Sequence, residues 1–341
     1  MVLKNKYLQI LCLFLIGYSM LGGLLLPLSP NIEQVVYSTQ DSVLEFKLYV
    51  PKVKSQNNEL FLVKNQLKNA TTIAIKPIET KRIGDTIIAR FISPNYFKNI
   101  KKGDNFDLIC SNASDGNMYY FSAYFVDTVI GNRDIASVAL PVFDKDKFKW
   151  SFPNRNILKE SIRNLFFHVP MWFTMIALLV YSLIHSLKYL SKEKKEDDIK
   201  AAYAAYMALF FGIIGILTGM IWAKHTWGAY WTNDPKLNGA AIGMLVYFAY
   251  YILRSSIPDT IKRARLSAVY NIFAFTIYII FIMIMPRIYN SLHPGNGGNP
   301  GFNIYEQDDT MRLFFYPAVL GWILLGLWLK DIYISIHNSK K

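Results

Sequence analysis

The sequence predicts an α-helical integral membrane protein with six transmembrane helices and an inserted β-rich extracytoplasmic domain. Hydrophobic residues make up 52% and aromatic residues 15% of the 341 residues, which is more apolar than an ordinary soluble protein. Apolar runs of roughly 20 residues, enough to cross a hydrocarbon core of about 30 Å, recur along the chain. A long polar segment with β-branched runs and turn residues separates the first apolar run from the second.

The apolar runs divide the chain into three predicted domains. Residues 1–28 form an N-terminal transmembrane anchor, because the first run is too long for a signal peptide and lacks a small-x-small cleavage site. Residues 29–164 form the β-rich domain, whose role the sequence leaves open, and residues 165–341 form a five-helix membrane domain. The six predicted spans are 7–28, 165–188, 201–223, 236–254, 266–288 and 311–333.

Basic residues predict how these spans are oriented. Four groups of basic residues fall on one side of the predicted membrane: Lys4 and Lys6, the charged loop 188–200, the run 254–265 and the C-terminal tail. Because cytoplasmic loops carry an excess of Lys and Arg, we expect both termini in the cytoplasm. The β-rich domain and the loops 224–235 and 289–310 then lie outside. The same distribution accounts for the net charge of +13 without nucleic-acid binding.

The β-rich segment is predicted from short apolar runs separated by Gly, Asn, Asp and Pro. Its roughly 130 residues are enough for an independent core, and a small barrel or sandwich is expected. It contains no histidine and no catalytic set, so a docking or structural role is the plainer interpretation. The predicted strand regions are 43–50, 71–78, 86–92, 106–110 and 118–130.

Several classes of chemistry find no motif in the sequence. The only cysteines, Cys12 and Cys110, are far apart and form neither a disulfide framework nor a CxxC site. There is no GxxxxGK[ST] loop for a nucleotide and no HExxH motif for zinc. Any coupling to ATP would therefore require a partner.

Histidines at the outer ends of the spans are the first candidates for ligand binding. His168, His225 and His293 fall on that side, and His168 and His293 come from different elements at the same predicted depth. Two neutral imidazoles from opposite sides would complete the axial positions of a haem iron. The competing interpretation for each is an interfacial histidine in an ordinary hydrogen bond, and we assign His225 to it.

The second candidate is an aromatic loop between those histidines, which holds Trp227, Gly228, Tyr230, Trp231 and Asp234. Aromatic rings bury large area against a flat apolar ligand, and glycine permits close backbone approach. Two other interpretations compete. Trp and Tyr also gather at membrane interfaces, and an Asp followed by Pro is a typical helix N-terminus.

Charged and small residues near this loop complete the candidate region. Lys224, Lys236 and Arg287 are cations available for haem propionates at the aqueous edge. Gly215 and Gly219 have the GxxxG spacing that permits close helix packing, as do Gly239 and Gly243. We interpret these glycines as scaffold.

Trp227-Gly228-x-Tyr230-Trp231-x-x-Asp234 resembles the tryptophan-rich WWD signature of the cytochrome c assembly protein superfamily. His-Val-Pro at 168–170 and Leu-His-Pro-Gly at 292–295 look most like the CcmC family of system I cytochrome c maturation. The resemblance covers about residues 160–335. Tyr230 stands where tryptophan is usual, Asn233 replaces a common aromatic, and the first outer loop holds a large domain.

The resemblance implies both a site and a function. It implies that His168 and His293 are axial ligands of a non-covalently bound haem b. It also implies that Trp227, Gly228, Tyr230, Trp231 and Asp234 form the haem platform. The implied activity is haem transfer to a membrane-anchored haem chaperone at the outer face of a bacterial inner membrane. The resemblance also implies a complex with ABC transporter subunits. A transfer protein is therefore favoured over a classical enzyme.

Two other functions stay open on the sequence. One is a cytochrome c synthase of the related system II kind, which attaches haem directly to an apocytochrome, although four histidines and more helices are usual there. The other is a membrane assembly scaffold without a cofactor, which needs only the six spans and the outer domain.

Overall fold

A computed structural model of the chain describes residues 5–64, 73–134, 150–289, 291, 293 and 307–339. The chain separates into two compact units. A helical unit contains residues 1–25, 161–306 and 312–341, and a β-rich unit contains residues 26–160 and 307–311.

Six helices of the described residues are long and apolar enough to cross a membrane. This number agrees with the six predicted spans, and the helices extend beyond several of them because charged residues continue the helical turns at their ends. After α5 a π-helical turn at Ile280–Ile284 leads into the short helix α6. The helices are α1 Lys6–Leu25, α2 Leu165–Lys192, α3 Lys195–Trp227, α4 Pro235–Ser256, α5 Thr260–Ile279, α6 Met285–Ile288 and α7 Asp309–Ser339.

Small side chains let the helices of this unit pack closely. At Gly212 of α3 an added Cβ would lie 2.4 Å from Met244 Sδ of α4 and 2.7 Å from Met175 Sδ of α2, so a larger residue would require both methionine side chains to move. One set of buried polar groups is paired across two helices: Asn271 of α5 donates to Ser182 and Ser186 of α2, both at 2.8 Å. Such hydrogen bonds join helices where no water competes for the donors.

The β-rich unit contains two mainly antiparallel sheets that share one core, and β9 pairs in parallel with β8. Their strand orders are β1-β2-β6-β5 and β4-β3-β7-β8-β9. Inward-facing residues of both sheets, such as Phe46, Phe91, Leu62 and Phe106, belong to the same buried cluster, which makes the unit a sandwich. The strands are β1 Gln34–Gln40, β2 Val43–Tyr49, β3 Glu59–Lys64, β4 Ile73–Ile75, β5 Glu79–Ile83, β6 Thr86–Ile92, β7 Asn105–Asn112, β8 Gly116–Phe125 and β9 Asn154–Arg155.

The predicted strand regions correspond to β2, β4, β6, β7 and β8, whereas β1, β3, β5 and β9 were missed. β2 and β6 alternate buried and exposed residues, which is the pattern that sequence reading detects. β1 and β5 are almost wholly exposed. β3 is buried on both faces, since Phe61 and Val63 join a second cluster on the other side of its sheet. Neither pattern alternates, so periodicity could not reveal these strands.

Candidate functional site

The aromatic loop is fixed at both ends by helix caps. Gly228 ends α3 with a left-handed backbone (φ 81°), and its N–H donates to the Lys224 carbonyl at 3.1 Å. Lys224 Nζ donates in turn to the Gly228 carbonyl at 2.9 Å. Asp234 then caps α4, because its carboxylate accepts from the backbone N–H groups of Lys236 and Leu237. The predicted cap at Asp234 is thus confirmed.

Asp234 also binds His293, the second candidate histidine. The sequence did not predict this contact. His293 Nδ1 lies 3.0 Å from Asp234 Oδ1, and Ser291 Oγ donates to Asp234 Oδ2 at 2.7 Å. The aspartate side chain is 1% exposed and the histidine side chain 13% exposed. One buried carboxylate therefore starts α4 and holds the segment that carries His293.

Three aromatic rings meet at this point. The centroid of the Trp227 ring lies 4.8 Å from that of His293, nearly perpendicular to it. Trp222, one turn earlier in α3, lies 5.0 Å from Trp227 and 5.9 Å from His293. Trp222 was not predicted as a site residue, and its spacing of five residues from Trp227 was the only available signal.

The other two rings of the loop face outward. Tyr230 is 55% and Trp231 40% exposed. Trp231 Nε1 donates to Asn238 at 3.2 Å, and Lys224 Nζ lies 5.6 Å from the Tyr230 ring centroid. The loop thus presents exposed aromatic surface whose polar edges are fixed.

His168 lies in the first turn of α2 and is held by α3. Its Nδ1 lies 2.9 Å from the Gly215 carbonyl and 3.1 Å from Thr218 Oγ1. A Cβ on Gly219 would lie only 2.7 Å from His168 Cε1. Of the two glycines predicted as helix-packing scaffold, Gly219 therefore admits the imidazole ring, and Gly215 admits the ring of Trp172.

These partners determine the proton position on both imidazoles. A backbone carbonyl and a carboxylate only accept hydrogen bonds, so Nδ1 must be the donor in His168 and in His293. In the neutral rings Nε2 then carries the lone pair, which is the form that binds a metal. Burial lowers the pKa of His293 below its ordinary value, and the Asp234 hydrogen bond opposes that shift. The lowered pKa favours the neutral ring.

The remaining predicted residues have three different outcomes. Lys236, in the first turn of α4, is half-buried, and its charge acts on both His168 and His293. The side chain of Arg287 lies outside the described residues, as do Leu292, Pro294 and Gly295 of the second histidine motif. His225 is exposed.

A family model described as heme exporter protein C, CcmC, matches residues 148–334. The match is longer than half of the 341-residue chain and contains His168, the aromatic loop and His293. The chain belongs to the heme exporter protein C family. The matched range begins near the end of the β-rich unit, so residues 29–147 lie outside the part that the CcmC model describes.

Two similar proteins bear the name of this family, and a third bears another name. Heme exporter protein C of Paracoccus denitrificans is 28% identical over 183 residues, which are 52% of this chain and 74% of that protein. The Bradyrhizobium diazoefficiens protein of the same name is 31% identical over 134 residues, 39% of this chain and 50% of its own length. The cytochrome c biogenesis protein CcsA of Prochlorococcus marinus is 32% identical over 94 residues, 26% of this chain and 28% of that protein.

Proposed function

We propose that this membrane protein binds haem between His168 and His293 and passes it on for cytochrome c maturation. The observation that carries the proposal is the shared state of the two imidazoles. Each is held at Nδ1 by an acceptor, so in the neutral ring Nε2 carries the lone pair, which is the form that binds a metal. Haem iron takes two such axial donors, and the names of the relatives, heme exporter protein C, describe a matching cargo.

The surroundings of the imidazoles fit a flat ligand with acidic edges. Trp227 packs on His293, while Tyr230 and Trp231 offer exposed ring surface suited to stacking. Gly228 leaves open space, because no atom lies within 4 Å of a Cβ built on it. Lys236, in the first turn of the helix that Asp234 caps, would pair with a propionate. In this proposal Asp234 orients His293 and does not contact the ligand.

The proposal includes an orientation and partners. The positive-inside rule places this site and the β-rich unit on the outer face of a bacterial inner membrane. The recipient would be a membrane-anchored haem chaperone, and ABC transporter subunits would supply the ATP hydrolysis for which this sequence has no motif. We propose the β-rich unit as the surface that captures the recipient, since its sandwich core is independent of the haem site.

The test is the visible spectrum of the full chain purified in detergent after haem-replete expression. The wild-type chain should show a low-spin bis-histidine spectrum, and His168→Ala or His293→Ala should abolish it. His225→Ala is the matched control, because His225 lies exposed in the last turn of α3, beside the aromatic loop. This substitution should leave the spectrum unchanged. A wild-type chain without haem, or a spectrum unaffected by the double substitution of His168 and His293, would refute the proposal.

Two further measurements separate the partner roles. Coexpression with an apocytochrome alone should give no covalent cytochrome; its formation would favour a synthase, as the short match to a CcsA protein also permits. Replacing residues 31–160 by a short linker should preserve the haem spectrum and reduce capture of the chaperone. Loss of haem with retained capture would contradict the assigned division of roles.

A further inference from the structure

The two candidate ligands are held by different chemistry. His293 donates to a carboxylate, at 3.0 Å, on a side chain that is 1% exposed. His168 donates to a neutral carbonyl at 2.9 Å and to a hydroxyl at 3.1 Å. Both Nδ1 atoms therefore have an acceptor at a similar distance, but the acceptor of His293 is charged and that of His168 is neutral.

The carboxylate partner of His293 is fixed in place. Asp234 accepts from two backbone N–H groups at the start of α4 and from Ser291, so it cannot turn away from the imidazole without losing those bonds. The neutral acceptor of His168 is also shared with other donors. The Gly215 carbonyl lies inside α3, where helix geometry also assigns it the N–H of Gly219, and Thr218 Oγ1 lies 3.1 Å from it.

We infer that Asp234 makes His293 the stronger of the two iron ligands and leaves His168 as the one that yields first to a competing donor. An imidazole that donates to an anion carries more electron density on its other nitrogen, and such outer partners change metal affinity by roughly 10–100-fold. His168 has no anionic partner among its described contacts. The inference depends on the proposed haem site and concerns which side of it opens.

In a transfer, the weaker donor would release the iron as an incoming donor from the recipient supplies its own lone pair. One coordinate bond breaks and one forms, and no electron is transferred. His293 would then stay bound while the recipient takes the position of His168. Asp234 acts in this proposal as a positioning residue, through the imidazole.

The experiment is a double-mutant cycle on the full chain in detergent, read as haem dissociation constants from spectral titration. His168→Ala, which keeps His293, should bind haem at least about tenfold more tightly than His293→Ala. Asp234→Asn should remove that difference by weakening the His168→Ala protein and leaving the His293→Ala protein nearly unchanged. Equal affinities of the two histidine variants, or equal weakening of both by Asp234→Asn, would overturn the inference.

Asparagine isolates the charge, because it caps helices as well as aspartate does and retains an acceptor for His293. Asp259→Asn is the matched control, since Asp259 caps α5 through Lys262 N at 2.8 Å. In chains that keep both histidines, Asp234→Asn should raise the haem reduction potential and Asp259→Asn should not. An unchanged potential in Asp234→Asn also overturns the inference, even where the single-histidine proteins fail to fold. A wild-type chain that binds no haem refutes the proposed function instead.

Discussion

Gly219→Ala tests whether the space left by a missing side chain positions His168. The new Cβ would lie 2.7 Å from His168 Cε1, against an ordinary contact of at least 3.4 Å. The ring must therefore move by about 0.7 Å, or the helices must separate. A displacement of that size is comparable with the difference between the 2.9 Å bond to Gly215 and a distance of about 3.6 Å, at which no hydrogen bond remains.

The magnitude follows from two opposing effects. Replacing glycine by alanine inside a helix stabilises it by about 1 kcal/mol, while overpacking costs about 1–3 kcal/mol, so global stability should fall by at most about 2 kcal/mol. Haem affinity should fall by about tenfold or more, because the imidazole loses the partner that fixes its tautomer and direction.

The assay is spectral haem titration beside thermal unfolding of the purified chain. Gly243→Ala is the matched control, because its Cβ would meet the Tyr278 ring at 2.6 Å, away from both histidines. The control should lose stability to a similar extent and keep its haem affinity. If Gly219→Ala binds haem like the wild-type chain, or if both variants lose haem equally, the positioning role of Gly219 is wrong.

Three predictions concern other parts of the molecule. Burial raises the pKa of Asp107 from 3.8 to about 6, so the contribution of Asp107 to the unfolding free energy of the β-rich unit should be highest below pH 4. It should fall by on the order of 2–3 kcal/mol as the pH rises past 6; Asp107→Asn should abolish this dependence in hydrogen exchange of β7. Burial raises the pKa of the Cys110 thiol to about 12, so in a Cys12→Ala chain iodoacetamide should label Cys110 only when denaturant opens the sandwich. Arg254 binds Asp198 through two bonds of 2.6 and 2.8 Å with both side chains largely buried. Arg254→Gln should therefore destabilise the helical unit by about 3–5 kcal/mol in thermal unfolding, and an unchanged melting temperature would contradict this.

Local patterns in the sequence determined much of the architecture. Apolar length alone predicted the six long helices, because a span must satisfy its backbone hydrogen bonds within itself. The Asp234-Pro235 pair predicted the start of α4, since capping involves only neighbouring residues. Alternation predicted β2 and β6, where one face of the strand is buried.

Only the tertiary structure decided how the candidate site is assembled. The contacts of His168 with Gly215 and of His293 with Asp234 join residues 47 and 59 positions apart, and no local pattern encodes such a pairing. Packing of α2 on α3 placed an imidazole in the gap at Gly219, and a helix cap that was already required became the partner of His293. Sequence supplied the residue types and the order of the motifs. The packing decided which nitrogen of each histidine carries the proton, because that depends on the acceptor that Nδ1 faces.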